Sequence, residues 1–255
     1  MSWKRSKHGP LAAALLLGAA AIGSALFFKP YPALEDKDLL RSDDRVGVAG
    51  EGEGLAFVPA QASGISRKTT GLVFYGAAGV PPEAYAYLAR ACALAGYTAV
   101  LASAPLNFPP LAPSRASLAA RSHPEVGRWV LAGHALGGRA AALYAAKPGS
   151  KAAGLLLLAS GLGGGVDLST KSLPVVTVSA SRDALESHAG VPADQGRLPA
   201  GSRYVEISGG NHAQFGEYGP QPGDGIAEIP GPTQRGAVVE EALALLGAVE
   251  AGAGK

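Results

Sequence analysis

Residues 128–140 run Arg128-Trp129-Val130-Leu131-Ala132-Gly133-His134-Ala135-Leu136-Gly137-Gly138-Arg139-Ala140. A short apolar run meets a glycine-bounded turn, and an alanine-rich helical stretch follows at once. A strand that turns directly into a helix brings backbone against backbone. Gly133 and Gly137 leave room where a side chain would collide. This is the layout of a nucleophile elbow, G-x-S-x-G, which lifts its central residue above the edge of a parallel sheet. The central residue here is Ala135, which carries no hydroxyl.

Working outward, apolar runs and helical stretches alternate. Residues 45–48 and 54–58 read as an opening hairpin. Residues 70–75, 97–102, 126–132, 152–159, 174–178 and 204–207 read as strands. Helices are expected over 82–95, 114–122, 136–146 and 233–249, with a weaker helical turn over 186–190. The run over 152–159 is continuously apolar, as a strand covered on both faces requires. Tyr85, Leu88, Ala89 and Cys92 recur at helical spacing, and Gly96 ends that helix. The alternation predicts an α/β fold, a doubly wound and mostly parallel sheet, in one domain over 46–250. A polar linker is expected over 30–45. Residues 213–232 carry many Gly and Pro and little regular pattern. Their Phe215 and Tyr218 predict an ordered, functional loop.

The chain has 255 residues, 47% of them hydrophobic and 16% charged, enough for one domain with a substantial core. Lys4, Arg5 and Lys7 precede an uncharged run over 11–28. A basic flank before an apolar run of this length predicts a single-pass helix, with residues 1–29 as a signal anchor and the domain extracytoplasmic. A secreted protein, cleaved among the small residues from Ala21 to Ala25, is the alternative. The formal charge is +2, with 22 basic and 20 acidic residues; without Lys4, Arg5, Lys7 and Lys29 the remainder carries 18 basic residues against 20 acidic. That balance predicts no nucleic-acid partner. Cys92 is the single cysteine. It has no disulfide partner in the chain, and it reads as a small buried thiol. No Cys/His grouping suggests a metal, and no cofactor is expected. The stretch 133–139 lacks the G-K-[ST] ending of a phosphate loop, and 161–165 lacks dinucleotide spacing.

An elbow works with a carboxylate and a histidine that follow it along the chain, each at the carboxyl end of a strand. Asp183 follows the strand over 174–178, and His212 follows the strand over 204–207. Both fall at the edge where ligands collect in open α/β sheets. A histidine takes the nucleophile's proton, and a carboxylate holds the imidazole tautomer. The plainer readings are that Asp183 caps a helix and His212 is a turn residue. Two backbone amides would form an oxyanion hole: Leu136, after the elbow centre, and Ala77 or Ala78, after the strand over 70–75. Leu136 also opens a helix, whose amino end favours negative charge. Ser160, Ser179 and Ser181 lie near strand ends but in no elbow sequence. His134 reads as packing under the turn, and Asp224 as a turn residue.

These residues resemble a group of bacterial α/β-hydrolase-fold proteins with an N-terminal membrane segment. In that group the third strand ends in a Y-P-G-G-like turn and the elbow is G-H-S-L-G-G. The acid lies in a G-S-x-D-G-L-like segment, and the histidine in G-G-N-H-A-Q-F-G-x-Y-G-P-Q-x-G-D-G. The last motif is intact from Gly209 to Gly225, and the likeness runs from about Thr70 to the C-terminal helix. It implies an α/β-hydrolase fold, a Ser-Asp-His ancestry and ester-type acyl hydrolysis of a small-molecule substrate. Two departures stand out: Ala135 replaces the serine, and Gly76-Ala77-Ala78 replaces the proline-glycine-glycine turn. Losses on two sides of one site point to an inactive member. Its expected role is then to bind a small ligand or a protein partner in the old pocket.

Overall fold

The alternating runs assemble into one eight-stranded sheet. The computed structural model describes residues 30–33, 37–51, 54–186 and 194–252. The strands are β1 (Val46–Glu51), β2 (Gly54–Pro59), β3 (Thr70–Tyr75), β4 (Thr98–Ala102), β5 (Arg128–His134), β6 (Ala152–Leu158), β7 (Val175–Ala180) and β8 (Arg203–Ile207). Their order is β1-β2-β4-β3-β5-β6-β7-β8. The β1–β2 and β2–β4 pairs are antiparallel, and every pair from β4 to β8 is parallel. The helices are α1 (Ala86–Leu94), α2 (Arg115–Ser122), α3 (Leu136–Ala146) and α4 (Gly231–Ala251).

Strand alternation divides the core into two layers. Leu72 and Phe74 of β3, with Val130 and Ala132 of β5, face α1 and α4. Val73 and Tyr75, with Trp129 and Leu131, face α2 and α3. Every residue of β3 is buried, because helices cover both faces. On α4, Val238, Ala242, Leu245 and Val249 form a buried stripe at helical spacing. Cys92 is fully buried on α1, and burial pushes its thiol up to about 12.

Sequence and structure differ at element ends. The elbow strand starts at Arg128, because Val126 and Gly127 turn and bond to His123 and Thr69. It continues to His134, which pairs with Leu158. The helix expected over 82–95 opens as a 3₁₀ turn, Pro82–Tyr85, before α1 begins. The expected linker packs on the domain in its described part: the Tyr31 amide donates to the Gly79 carbonyl, and the Tyr31 ring lies 5.2 Å from Tyr218. The apolar run over 11–28 and most of the expected turn over 186–190 lie outside the described residues. Among the described residues no helix is long and apolar enough to cross a membrane.

Candidate active site

The elbow forms where β5 runs into α3. Ala135 takes φ 51° and ψ −118°, a conformation rare for a residue with a side chain. Its amide donates to the Leu158 carbonyl at 3.0 Å. The flanking glycines are dictated by contact. A Cβ on Gly133 would lie 2.3 Å from the Gly137 backbone, and one on Gly137 would lie 2.1 Å from the Tyr75 carbonyl oxygen. The strained turn is therefore intact around a methyl group.

Asp183 and His212 meet. The loops after β7 and β8 bring His212 Nδ1 to 2.8 Å from Asp183 Oδ2, with 4% and 2% of the two side chains exposed. Asp183 also bonds locally, at a bend rather than the helix expected of its plainer reading, among the described residues. Its Oδ1 accepts the Leu185 and Glu186 amides, both at 2.9 Å. One oxygen caps the turn and the other meets the imidazole. The His212 ring lies 4.4 Å from the ring of His134, the residue just before Ala135. Asp183, His212 and the residue before Ala135 thus share one buried region.

The histidine loop is built by Asp224, which the sequence marks as a turn residue, and by Gln234, which local sequence does not single out. Asp224 Oδ1 accepts the His212 amide at 3.2 Å and the Gly225 amide at 2.8 Å, while Oδ2 accepts the Ala213 amide at 2.8 Å. Gln234, fully buried on α4, accepts the Asn211 amide at 3.0 Å and donates to the Asn211 carbonyl at 2.8 Å. The stretch 213–232 is the ordered loop its aromatics predicted, with Phe215 and Tyr218 buried. The Gly-Asp-Gly around Asp224 signals a turn. Which amides the carboxylate collects follows only from the folded loop.

Around the expected oxyanion hole, the Ala77 amide donates to Tyr85 Oη at 3.0 Å. Ala77 is thereby engaged toward Tyr85. Leu136 is the first residue of α3, where helix geometry leaves amides unpaired. Tyr85 Oη also lies 2.9 Å from His134 Nδ1. Tyr85 had read only as a core aromatic. Burial, and then the neighbouring His212, hold the His134 imidazole well below its ordinary range, so His134 is neutral.

The other serines support backbone. Ser160 Oγ donates to the Ala135 carbonyl at 2.8 Å from beneath the elbow. Ser179 Oγ donates to the Val205 carbonyl at 3.4 Å, and Ser181 Oγ accepts the Gly209 amide at 2.8 Å. Among the described residues, no group of three or more His, Cys, Asp or Glu could hold a metal.

The elbow strand, Asp183 and His212 all fall within the pattern of one fold family. The pattern of that family, described as "Alpha/beta hydrolase family", matches residues 71–236. The chain belongs to the alpha/beta hydrolase family. Solved structures agree on the fold. An esterase from Thermogutta terrifontis, with propionate bound, is 16% identical, with a TM-score of 0.58 over 81% of this chain and 94% of its own. Dienelactone hydrolase from Anabaena variabilis is 19% identical, with a TM-score of 0.58 over 80% and 96%. A structure from work on the metagenome-derived lipolytic enzymes LipS and LipT is 14% identical, with a TM-score of 0.54 over 78% and 99%. No curated protein matches the chain.

Proposed function

We propose that this alpha/beta hydrolase family member carries the acid–base half of an ester-hydrolysing triad and lacks its nucleophile. His212 is the base, Asp183 fixes its tautomer, and position 135 is where a serine would attack an acyl carbon. Leu136 and Ala77 or Ala78 would supply the amides for the oxyanion. The observation that carries the reading is the buried 2.8 Å bond between His212 Nδ1 and Asp183 Oδ2. It stands beside an elbow that keeps its strained backbone at Ala135. As written, the chain does not hydrolyse esters, because a methyl group cannot form the acyl intermediate. The test is Ala135→Ser assayed on short-chain p-nitrophenyl esters. The reading expects turnover that His212→Ala abolishes, and a folded but inert Ala135→Ser protein contradicts it.

A second reading follows from the inward-bonded Ala77 amide together with Ala135: a pseudoenzyme that binds an ester-like ligand or a protein partner where substrate once lay. It predicts that Ala135→Ser stays inert. For location, we propose a single-pass anchor over 11–28 with the domain outside the cytoplasm, on the strength of the basic flank at Lys4, Arg5 and Lys7. Fractionation that finds a soluble, shortened chain would replace the anchor with a cleaved signal.

A further inference from the structure

His134 is fully buried, and its Nε2 has no hydrogen-bond partner among the described residues. The Ala77 amide can only donate, so Tyr85 Oη accepts there. If Oη also accepted from His134, the hydroxyl proton would be stranded in the core. The lower-energy arrangement has Tyr85 donating to His134 Nδ1, with the imidazole proton on Nε2. That leaves a buried N–H unpaired, which costs about 1–3 kcal/mol. A leucine or phenylalanine would move that loss to the Tyr85 hydroxyl, whose proton would lack its acceptor, so the histidine gains nothing in hydrogen bonding. Stability alone therefore does not account for a histidine here.

What the ring touches accounts for it. Its centroid lies 4.4 Å from His212, 5.4 Å from Phe215 and 6.4 Å from Tyr218. Phe215 and Tyr218 are buried and back it. The bond to Asp183 and the covalent link through Cβ hold two points of the His212 ring. The second ring, tilted 41° to it, limits the swing that remains. The second ring is itself held through Nδ1 by a tyrosine that is tied to the oxyanion turn.

We propose that His134, locked by Tyr85, is a positioning residue for His212, keeping the imidazole's free nitrogen turned toward position 135. The inference rests on the triad reading, since it assigns His212 a partner at that position. It also ties the two sides of the site together through Ala77, Tyr85, His134 and His212.

The test uses Tyr85→Phe, which breaks the lock and keeps the volume, and His134→Leu, which removes the ring. Both are made in the full chain and again in the Ala135→Ser background. In the chain as it stands, proton NMR reads the low-field signal of the His212–Asp183 hydrogen bond. Positioning expects a sharp signal in the parent and a broadened one in both variants. In the Ala135→Ser background it expects kcat to fall roughly 10- to 100-fold with KM little changed. A folded Tyr85→Phe protein that keeps the parent's signal overturns the proposal, as does one that keeps the parent's kcat. If Ala135→Ser is inert, the triad reading fails by itself. The NMR comparison then still decides: broadening supports the positioning role and an unchanged signal overturns it. A parent without the signal overturns both.

Discussion

The two sides of the site differ in what else their residues hold. On the elbow side, Gly133 and Gly137 shape the turn, while the Ala135 side chain makes none of its hydrogen bonds. A serine hydroxyl there can be lost and the backbone stays put. On the opposite side, Asp183 caps two amides besides meeting His212, and Asp224 gathers the amides of His212, Ala213 and Gly225. Those carboxylates cannot leave without loosening a loop.

The largest effect that sharpens this contrast lies on the elbow itself. Gly137→Ala puts a methyl 2.1 Å from the Tyr75 carbonyl oxygen, and backbone cannot swing aside. It should destabilise by at least about 4 kcal/mol, a large share of a domain's stability. Denaturant melts check this, and an unperturbed midpoint would show that the turn is looser than described. Asp224→Ala comes next. It leaves several amides without an acceptor and should cost about 2–4 kcal/mol, with hydrogen exchange rising over 211–225. If only the midpoint moves and exchange there does not, the loop does not depend on Asp224.

Acid should loosen the same region. The folded His134 resists protonation, while the unfolded chain takes up a proton near the ordinary value of 6.5. The unfolded state then binds more protons as pH falls. The His134 contribution is full above about 6.5 and is lost below it, by up to about 1.4 kcal/mol per pH unit. Melts from neutral to acid pH should therefore slope less in His134→Leu than in the parent, and equal slopes would remove His134 from the acid response. The smallest change is Ala135→Ser, which should alter stability by about 0.5 kcal/mol or less. A larger loss would mean that the elbow has closed over its missing hydroxyl.

The fold was legible because strands buried on both faces must be apolar throughout, as Gly71 to Tyr75 and Gly154 to Leu158 are. That Asp183 and His212 would meet was legible because chain order and strand ends put both at one sheet edge. Asp183 shows the limit of that reasoning: its capping and pairing roles looked like alternatives, and a carboxylate with two oxygens performs both. Tyr85 and Gln234 were not legible as site residues. Their spacing marks them as helix-face residues. That a hydroxyl reaches Ala77 and His134, or an amide clamps Asn211, depends on how α1 and α4 pack, which no local pattern encodes.

The central claim is that the site lacks one oxygen and little else. The most direct measurement is fluorophosphonate labelling of the Ala135→Ser protein, mapped by mass spectrometry. A triad nucleophile contributes on the order of 10⁶ in turnover in a serine protease, and an oxyanion donor displaced by the altered Gly76-Ala77-Ala78 turn would take back roughly 10²–10³, so even an impaired site should label. The account predicts labelling at residue 135, absent from the chain as written and abolished by His212→Ala. A folded Ala135→Ser protein that stays unlabelled, or a label on Ser160, Ser179 or Ser181, would contradict it.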